Sequence, residues 1–187
     1  MDRKLLAAVA GLGLAFAGSA HAAVLTSAIT NLPADVFTPP TTSTGTLVGV
    51  TGSVTNVYAS PFGDDTSPYV SVEAGGSAFY SIAGSALSFV FGSPDSYNTI
   101  SFLNTGGVFD TFTTAGTSLS SLNNYFVTIK PTAAFTGVEF SSSINALEFS
   151  NVSAVPLPAA APMFGAALLA LAGLGYVAKR KKAATAA

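Results

Sequence analysis

Acidic side chains are the residues best suited to chemistry here, since the chain has nine Asp and Glu, one His and no Cys. Glu139 and Glu148 could form a glycosidase pair, in which two carboxyls stand about 5 to 10 Å apart. Both residues alternate with apolar residues in predicted strands, which is typical of outward-facing, solubilising side chains. We therefore expect no catalytic residues and interpret the chain as a non-enzyme.

The most distinctive polar cluster lies in residues 92–99, GSPDSYNT. Pro94 fixes the φ angle of a turn, and the side chains of Asp95 and Asn98 can bond nearby backbone amides. A structural turn between adjacent strands is therefore the favoured interpretation. The alternative is a ligand loop in which Asp95, Tyr97 and Asn98 face the ligand.

Calcium is the one cofactor that the acidic residues could be expected to bind. Asp64, Asp65 and Glu73 lie close together in sequence, and Ca²⁺ takes about six to eight oxygen ligands. The chain has no Asp-x-Asp-x-Asp-Gly loop, so we expect exposed, solvated acids and no metal site.

Aromatic side chains offer a second kind of ligand contact, because tyrosine rings can stack on sugars. A carbohydrate-binding module would need several of these rings together on one face or at one loop end. The chain has no Trp, which weakens this alternative. The candidate rings are Tyr58, Tyr69, Tyr80, Tyr97 and Tyr125.

Short β-branched and aromatic segments separated by Gly, Pro and Asn predict one all-β domain over residues 23–154. About ten strands are expected, in a jelly-roll-like β-sandwich without helices over 24–154. Residues 46–60 are predicted to form a hairpin, and Gly75-Gly76 to separate two strands, 69–72 and 77–82. The candidate core residues are Phe79, Phe89, Phe91, Phe102, Phe109, Phe112, Phe126, Phe135, Phe140 and Phe149.

The charge of this domain excludes one class of partner. Its eight acidic residues and single basic residue, Lys130, leave a net charge of about −7, although the whole chain carries −2. Such a surface repels phosphate backbones, so nucleic-acid binding is not expected.

The first 22 residues have the pattern of a secretory signal peptide, which implies a secretion translocon as a partner. Arg3 and Lys4 precede an apolar core, and Ala20 and Ala22 form a small-x-small cleavage site. Cleavage after Ala22 would remove His21, the only histidine, and with it the usual general base for nucleophilic catalysis.

A second targeting pattern occupies residues 155–187. Its short motif consists of Val155, Pro156, Leu157, Pro158 and Ala159. An uncharged apolar run over 159–178 follows, which as a helix of roughly 1.5 Å per residue would span about 30 Å of hydrocarbon. The run stops at four cations that the positive-inside rule would hold on the cytoplasmic side of the inner membrane. These are Lys179, Arg180, Lys181 and Lys182.

This tripartite tail resembles the C-terminal sorting signals of exosortase-dependent bacterial surface proteins, the PEP-CTERM group, in its VPLPA-CTERM variant. The segment 92–99 is also similar to one found in a subset of such proteins. The resemblance implies that a membrane-embedded exosortase recognises the motif and cuts near it. It further implies a Gram-negative bacterium with an exopolysaccharide or biofilm setting, and gives a route for the protein but no activity.

We therefore expect an exported protein that is first anchored in the membrane and then reaches the cell surface or the extracellular matrix. A structural or adhesive role is the favoured hypothesis. The alternatives are a carbohydrate-binding module that contacts exopolysaccharide and, less favoured, a secreted hydrolase with two carboxylates in one cleft.

Overall fold

The computed structural model describes residues 22–120 and 122–156. Every regular element within these ranges is a β-strand, which confirms the predicted all-β class. Nine strands follow one another along the chain: β1 Val24–Ile29, β2 Thr42–Val50, β3 Tyr69–Tyr80, β4 Ala86–Gly92, β5 Asn98–Asn104, β6 Gly107–Thr113, β7 Tyr125–Lys130, β8 Gly137–Ser142 and β9 Leu147–Val155.

The nine strands belong to one antiparallel sheet in the order β1-β7-β4-β9-β3-β8-β5-β6, with β2 paired to β3. The two ends of this path approach each other where the backbone N–H of Ala23 donates to the carbonyl of Thr111 at 3.0 Å. The sheet is therefore nearly closed.

Strand β3 corrects two predictions. It continues through Gly75-Gly76, where a turn was predicted, and it pairs first with β9 and then with β8. The predicted hairpin over 46–60 is also wrong, because β2 pairs with β3 and residues 51–60 form a loop. Gly76 is required at this point: a Cβ there would lie 2.2 Å from the carbonyl oxygen of Gly45 on β2.

The core is built from aromatic rings on opposite halves of the sheet. Phe149 of β9 stacks on Phe140 of β8 with ring centroids 4.0 Å apart, and Phe89 of β4 meets Phe140 edge-on at 5.1 Å. Seven of the ten predicted core phenylalanines are buried, whereas Phe79, Phe109 and Phe126 are half-buried. The aromatic core was therefore largely predictable.

The pairing register shows which loops share an end of the sheet. Leu25, Ile129, Leu87 and Ala154 are successive partners across β1, β7, β4 and β9. The start of β1 and the end of β9 therefore lie in one row. They are about 14 Å apart, since three strand spacings of roughly 4.8 Å separate them.

The two predicted targeting segments lie mostly outside the described residues. The parts outside include the predicted cleavage position Ala20, the motif from Leu157 onward, the apolar run 159–178 and the basic residues Lys179 to Lys182. Within the described part of the chain, no helix has the length and apolarity needed to cross a membrane.

Candidate functional site

A cleft of about 490 Å³ lies at the end of the sheet opposite the row that contains Leu25 and Ala154. Three segments form it: residues 53–59 before β3, residues 93–97 after β4, and residues 145–148 at the start of β9. Glu148 pairs with Gly92 and lies about five strand residues, or roughly 17 Å, from the row at the other end.

The predicted ligand loop divides between the cleft and the interior. Asp95 and Tyr97 line the cleft, and the Tyr97 hydroxyl donates to Oδ2 of Asp95 at 2.8 Å and lies 3.2 Å from the carbonyl oxygen of Asn145. Asn98 begins β5 and is fully buried, and its Oδ1 accepts a hydrogen bond from the Ser142 hydroxyl at 2.7 Å. Asn98 does not line the cleft.

Glu148 is the residue on which the sequence interpretation was wrong. Its side chain does not solubilise the surface, since the residue is only 3% exposed and lines the cleft. Its Oε1 accepts a hydrogen bond from the backbone N–H of Ala59 at 2.9 Å. Its Oε2 is buried and has no hydrogen-bond partner in the described part of the chain.

The environment of Glu148 favours the protonated carboxyl. Burial raises the pKa of Glu148 from 4.5 to about 7, and the negative charges of Asp95 and Glu73 add to this increase. The hydrogen bond from Ala59 acts in the opposite direction because it stabilises the carboxylate. The cleft is thus an acidic site that lacks a compensating cation among its lining residues.

Apart from the candidate ring Tyr58, the loop over 53–59 was not predicted as part of a site. It is held by a short bridge in which the N–H of Val54 donates to the carbonyl of Tyr58 at 2.9 Å. The Tyr69 hydroxyl fixes the start of the loop by donating to the carbonyl of Gly52 at 2.6 Å. Because this segment has no charged residue, Tyr58 was its only chemical signal in the sequence.

The other predicted residues lie elsewhere. Glu139 on β8 pairs with Phe79 and Ser101, so it does not join Glu148 in one cleft. Tyr69 and Tyr80 are buried, and therefore cannot stack on a ligand at the surface. Of the five candidate tyrosines, Tyr58 and Tyr97 line the cleft.

Two of the three acids considered for calcium have separate hydrogen-bonding roles. Oδ1 of Asp64 accepts from the backbone N–H groups of Ser67 at 2.7 Å and Thr66 at 2.9 Å, and these bonds lower the pKa of Asp64. Glu73 accepts from the Ser71 hydroxyl at 3.0 Å. Residues 22–120 and 122–156 contain no group of three His, Cys, Asp or Glu side chains able to hold a metal ion.

Comparison of the chain with protein-family models, curated proteins and solved structures finds no match. Function is therefore inferred from the residues and their geometry.

Proposed function

We propose that the chain is an exported surface or extracellular-matrix protein, delivered by an exosortase, whose β-domain has a structural or adhesive role without catalysis. A signal peptide cut after Ala22 would bring the precursor through the translocon, and the tail over 155–187 would anchor it in the inner membrane until processing. We interpret the fold as a jelly-roll-like β-sandwich, because β3 changes partners between two halves whose aromatic rings face each other.

The observation that carries this proposal is the position of the two chain ends of the described domain. β1 begins at Val24, two residues after the proposed signal cleavage, and β9 ends at Val155, the first residue of the sorting motif. Both lie at the same end of the sheet, and the cleft lies at the other. A domain held by its tail would therefore present the cleft away from the membrane.

A binding role is favoured over hydrolysis by the burial of one carboxyl. Asp95 and Glu148 do line one cleft, which is the arrangement that a hydrolase would need. The free oxygen of Glu148, Oε2, is covered from solvent, however, so it cannot deliver a proton to a bound substrate in this conformation. The cleft, with Tyr58 and Tyr97 in its wall, instead favours a carbohydrate-binding module as the second candidate function.

The intact mass of the protein recovered from the cell surface tests the proposal. With the exosortase present, we expect a mass that lacks both the first 22 residues and most of the segment after Val155. Without the exosortase, the mass should retain Lys179 to Lys182. A surface form that keeps these cations in both strains would contradict sorting by cleavage.

Replacement of Pro156 and Pro158 by Ala tests whether the motif itself is the processing signal. Because both prolines follow the last strand, the circular dichroism spectrum of the domain should be unchanged while processing is blocked. Normal processing of this variant would show that the motif is not the signal.

A further inference from the structure

We propose that the cleft binds a protonated amino sugar, with the ammonium group against Asp95 and beside Glu148. The inference rests on the proposed surface function, since it names the ligand class that the exposed end of the domain would meet. It is carried by charge, by an unsatisfied buried oxygen, and by the polar and aromatic character of the lining.

The unsatisfied oxygen is the first step. A buried carboxyl oxygen without a partner destabilises the fold unless a donor or a cation compensates it. Glu148 meets this description, because Ala59 satisfies Oε1 and nothing in the described part of the chain satisfies Oε2. Because Oε2 is covered from solvent, a ligand cation in the cleft would not touch it, but its positive charge would stabilise the ionised form of this side chain.

Charge complementarity is the second step. Asp95 is half-buried, and its Oδ2 is held by Tyr97, which fixes the carboxyl at the cleft wall. No Lys or Arg lines the cleft. The one basic residue in the described ranges, Lys130, pairs with Val24 at the opposite end of the sheet. The cation must therefore come from the ligand.

The choice of cation is the third step. A calcium ion needs about six to eight oxygens, whereas the cleft supplies two carboxyls, one of which already accepts a backbone hydrogen bond. An ammonium group needs only about three acceptors. The remaining lining suits the rest of a sugar: Ser53, Asn56 and Asn145 can bond its hydroxyls, and tyrosine rings can contact its apolar face.

Titration calorimetry with the purified full chain tests the assignment at neutral pH and low salt. The probes are a glucosamine tetramer, whose amino groups can carry a positive charge, and its N-acetylated counterpart, in which each amino group is a neutral acetamide. We expect the glucosamine tetramer to bind at least about tenfold more tightly, because a charge-assisted hydrogen bond is roughly twice as strong as a neutral one. Equal affinities, or no binding, would overturn the proposal.

Two variants test these charges. Asp95→Asn, which removes the contact, and Glu148→Gln, which removes the covered charge beside it, should each weaken binding of the glucosamine tetramer about tenfold. Glu139→Gln is the matched control, since it removes the same charge from β8 outside the cleft and should leave the affinity unchanged. An equal loss of affinity in all three variants would mean that the net charge of the protein alone controls binding, and would overturn the site.

Two further probes distinguish other cations. Trilysine that binds as tightly as the glucosamine tetramer would overturn the sugar assignment. Competition by micromolar CaCl₂ would overturn it in favour of a metal. A normal mass at the cell surface together with failed binding would reject the ligand while leaving the proposed sorting intact.

Discussion

The two ends of the sheet differ in how completely their polar groups are satisfied. At the end where the chain enters and leaves, Gly84 and Phe135 exchange two backbone hydrogen bonds and Ser85 donates to the carbonyl of Val155 at 2.9 Å. At the cleft end, Glu148 keeps a buried oxygen without a partner. The hydrogen bonds at the end near Val155 thus stabilise the fold. The unpartnered oxygen at the cleft end destabilises it, as is often found at functional sites.

Backbone conformation follows the same division in part. Ser93 and Asn56, both beside the cleft, have positive φ angles of 48° and 62°, which are unfavourable for residues with a side chain, whereas Asn151, with a φ of 55°, lies on β9 outside the cleft. Such strain persists only where the surrounding structure enforces it.

The largest expected effect comes from Gly84→Val, at the satisfied end. A Cβ at this position would lie 2.8 Å from the carbonyl oxygen of Val155 and 2.9 Å from Cβ of Ala154. We expect the free energy of unfolding to fall by about 3 kcal/mol, measured by urea denaturation. Ala83→Val, at the exposed neighbour, should change it by less than about 0.5 kcal/mol. Equal effects would mean that this end is not tightly packed.

Glu148→Gln is expected to act in the opposite direction. The folded chain keeps the Glu148 proton up to about pH 7, whereas the unfolded chain loses it near 4.5. The folded state therefore binds more protons between these values, and its stability falls as the pH rises through this range. At pH 8 the variant should be about 2 kcal/mol more stable than the native chain, and its pH dependence between 4.5 and 7 should be weaker.

Urea denaturation at several pH values measures this difference. Glu139→Gln, which removes a half-exposed carboxyl, should change the stability at pH 8 by less than about 0.5 kcal/mol. A loss of stability in Glu148→Gln at pH 8 would show that the buried carboxylate is compensated by some other group.

Tyr97→Phe should have the smallest effect of the three. It removes the hydroxyl that donates to Asp95, and a hydrogen bond to a charged group contributes about 1.5 kcal/mol or less at a half-exposed site. We expect a loss of about 1 kcal/mol in thermal unfolding at neutral pH. Tyr58→Phe, whose hydroxyl makes no hydrogen bond in the described part of the chain, should be neutral.

Strands can be predicted where the local sequence pattern matches burial, as in β7, where Val127 and Ile129 are buried and alternate with more exposed residues. The errors at Gly75-Gly76 and over 46–60 arose because glycine marks both turns and close approaches of two backbones. Between β2 and β3 the glycines allow a close approach of the two backbones, which can be recognised only once the pairing of these strands is known.

The site was only half predictable for a related reason. Asp95 and Tyr97 were candidate ligand residues because they lie in a polar turn, and both do line the cleft. Glu148 looked exposed because its neighbours alternate with it, yet β9 is buried on both faces from Leu147 to Val152. The loop over 53–59 covers the face that Glu148 occupies, and a contact between residues 89 positions apart leaves no local signal.

Strand β9 also has a mechanical consequence. One of its ends lies at the cleft and the other leads into the proposed sorting motif, so a pull between the proposed ligand and the tail would run along this strand. Hydrogen bonds to β4 and β3 lie across that direction on both sides. They would therefore be loaded together in shear and would have to break together, as the proposed adhesive role would require.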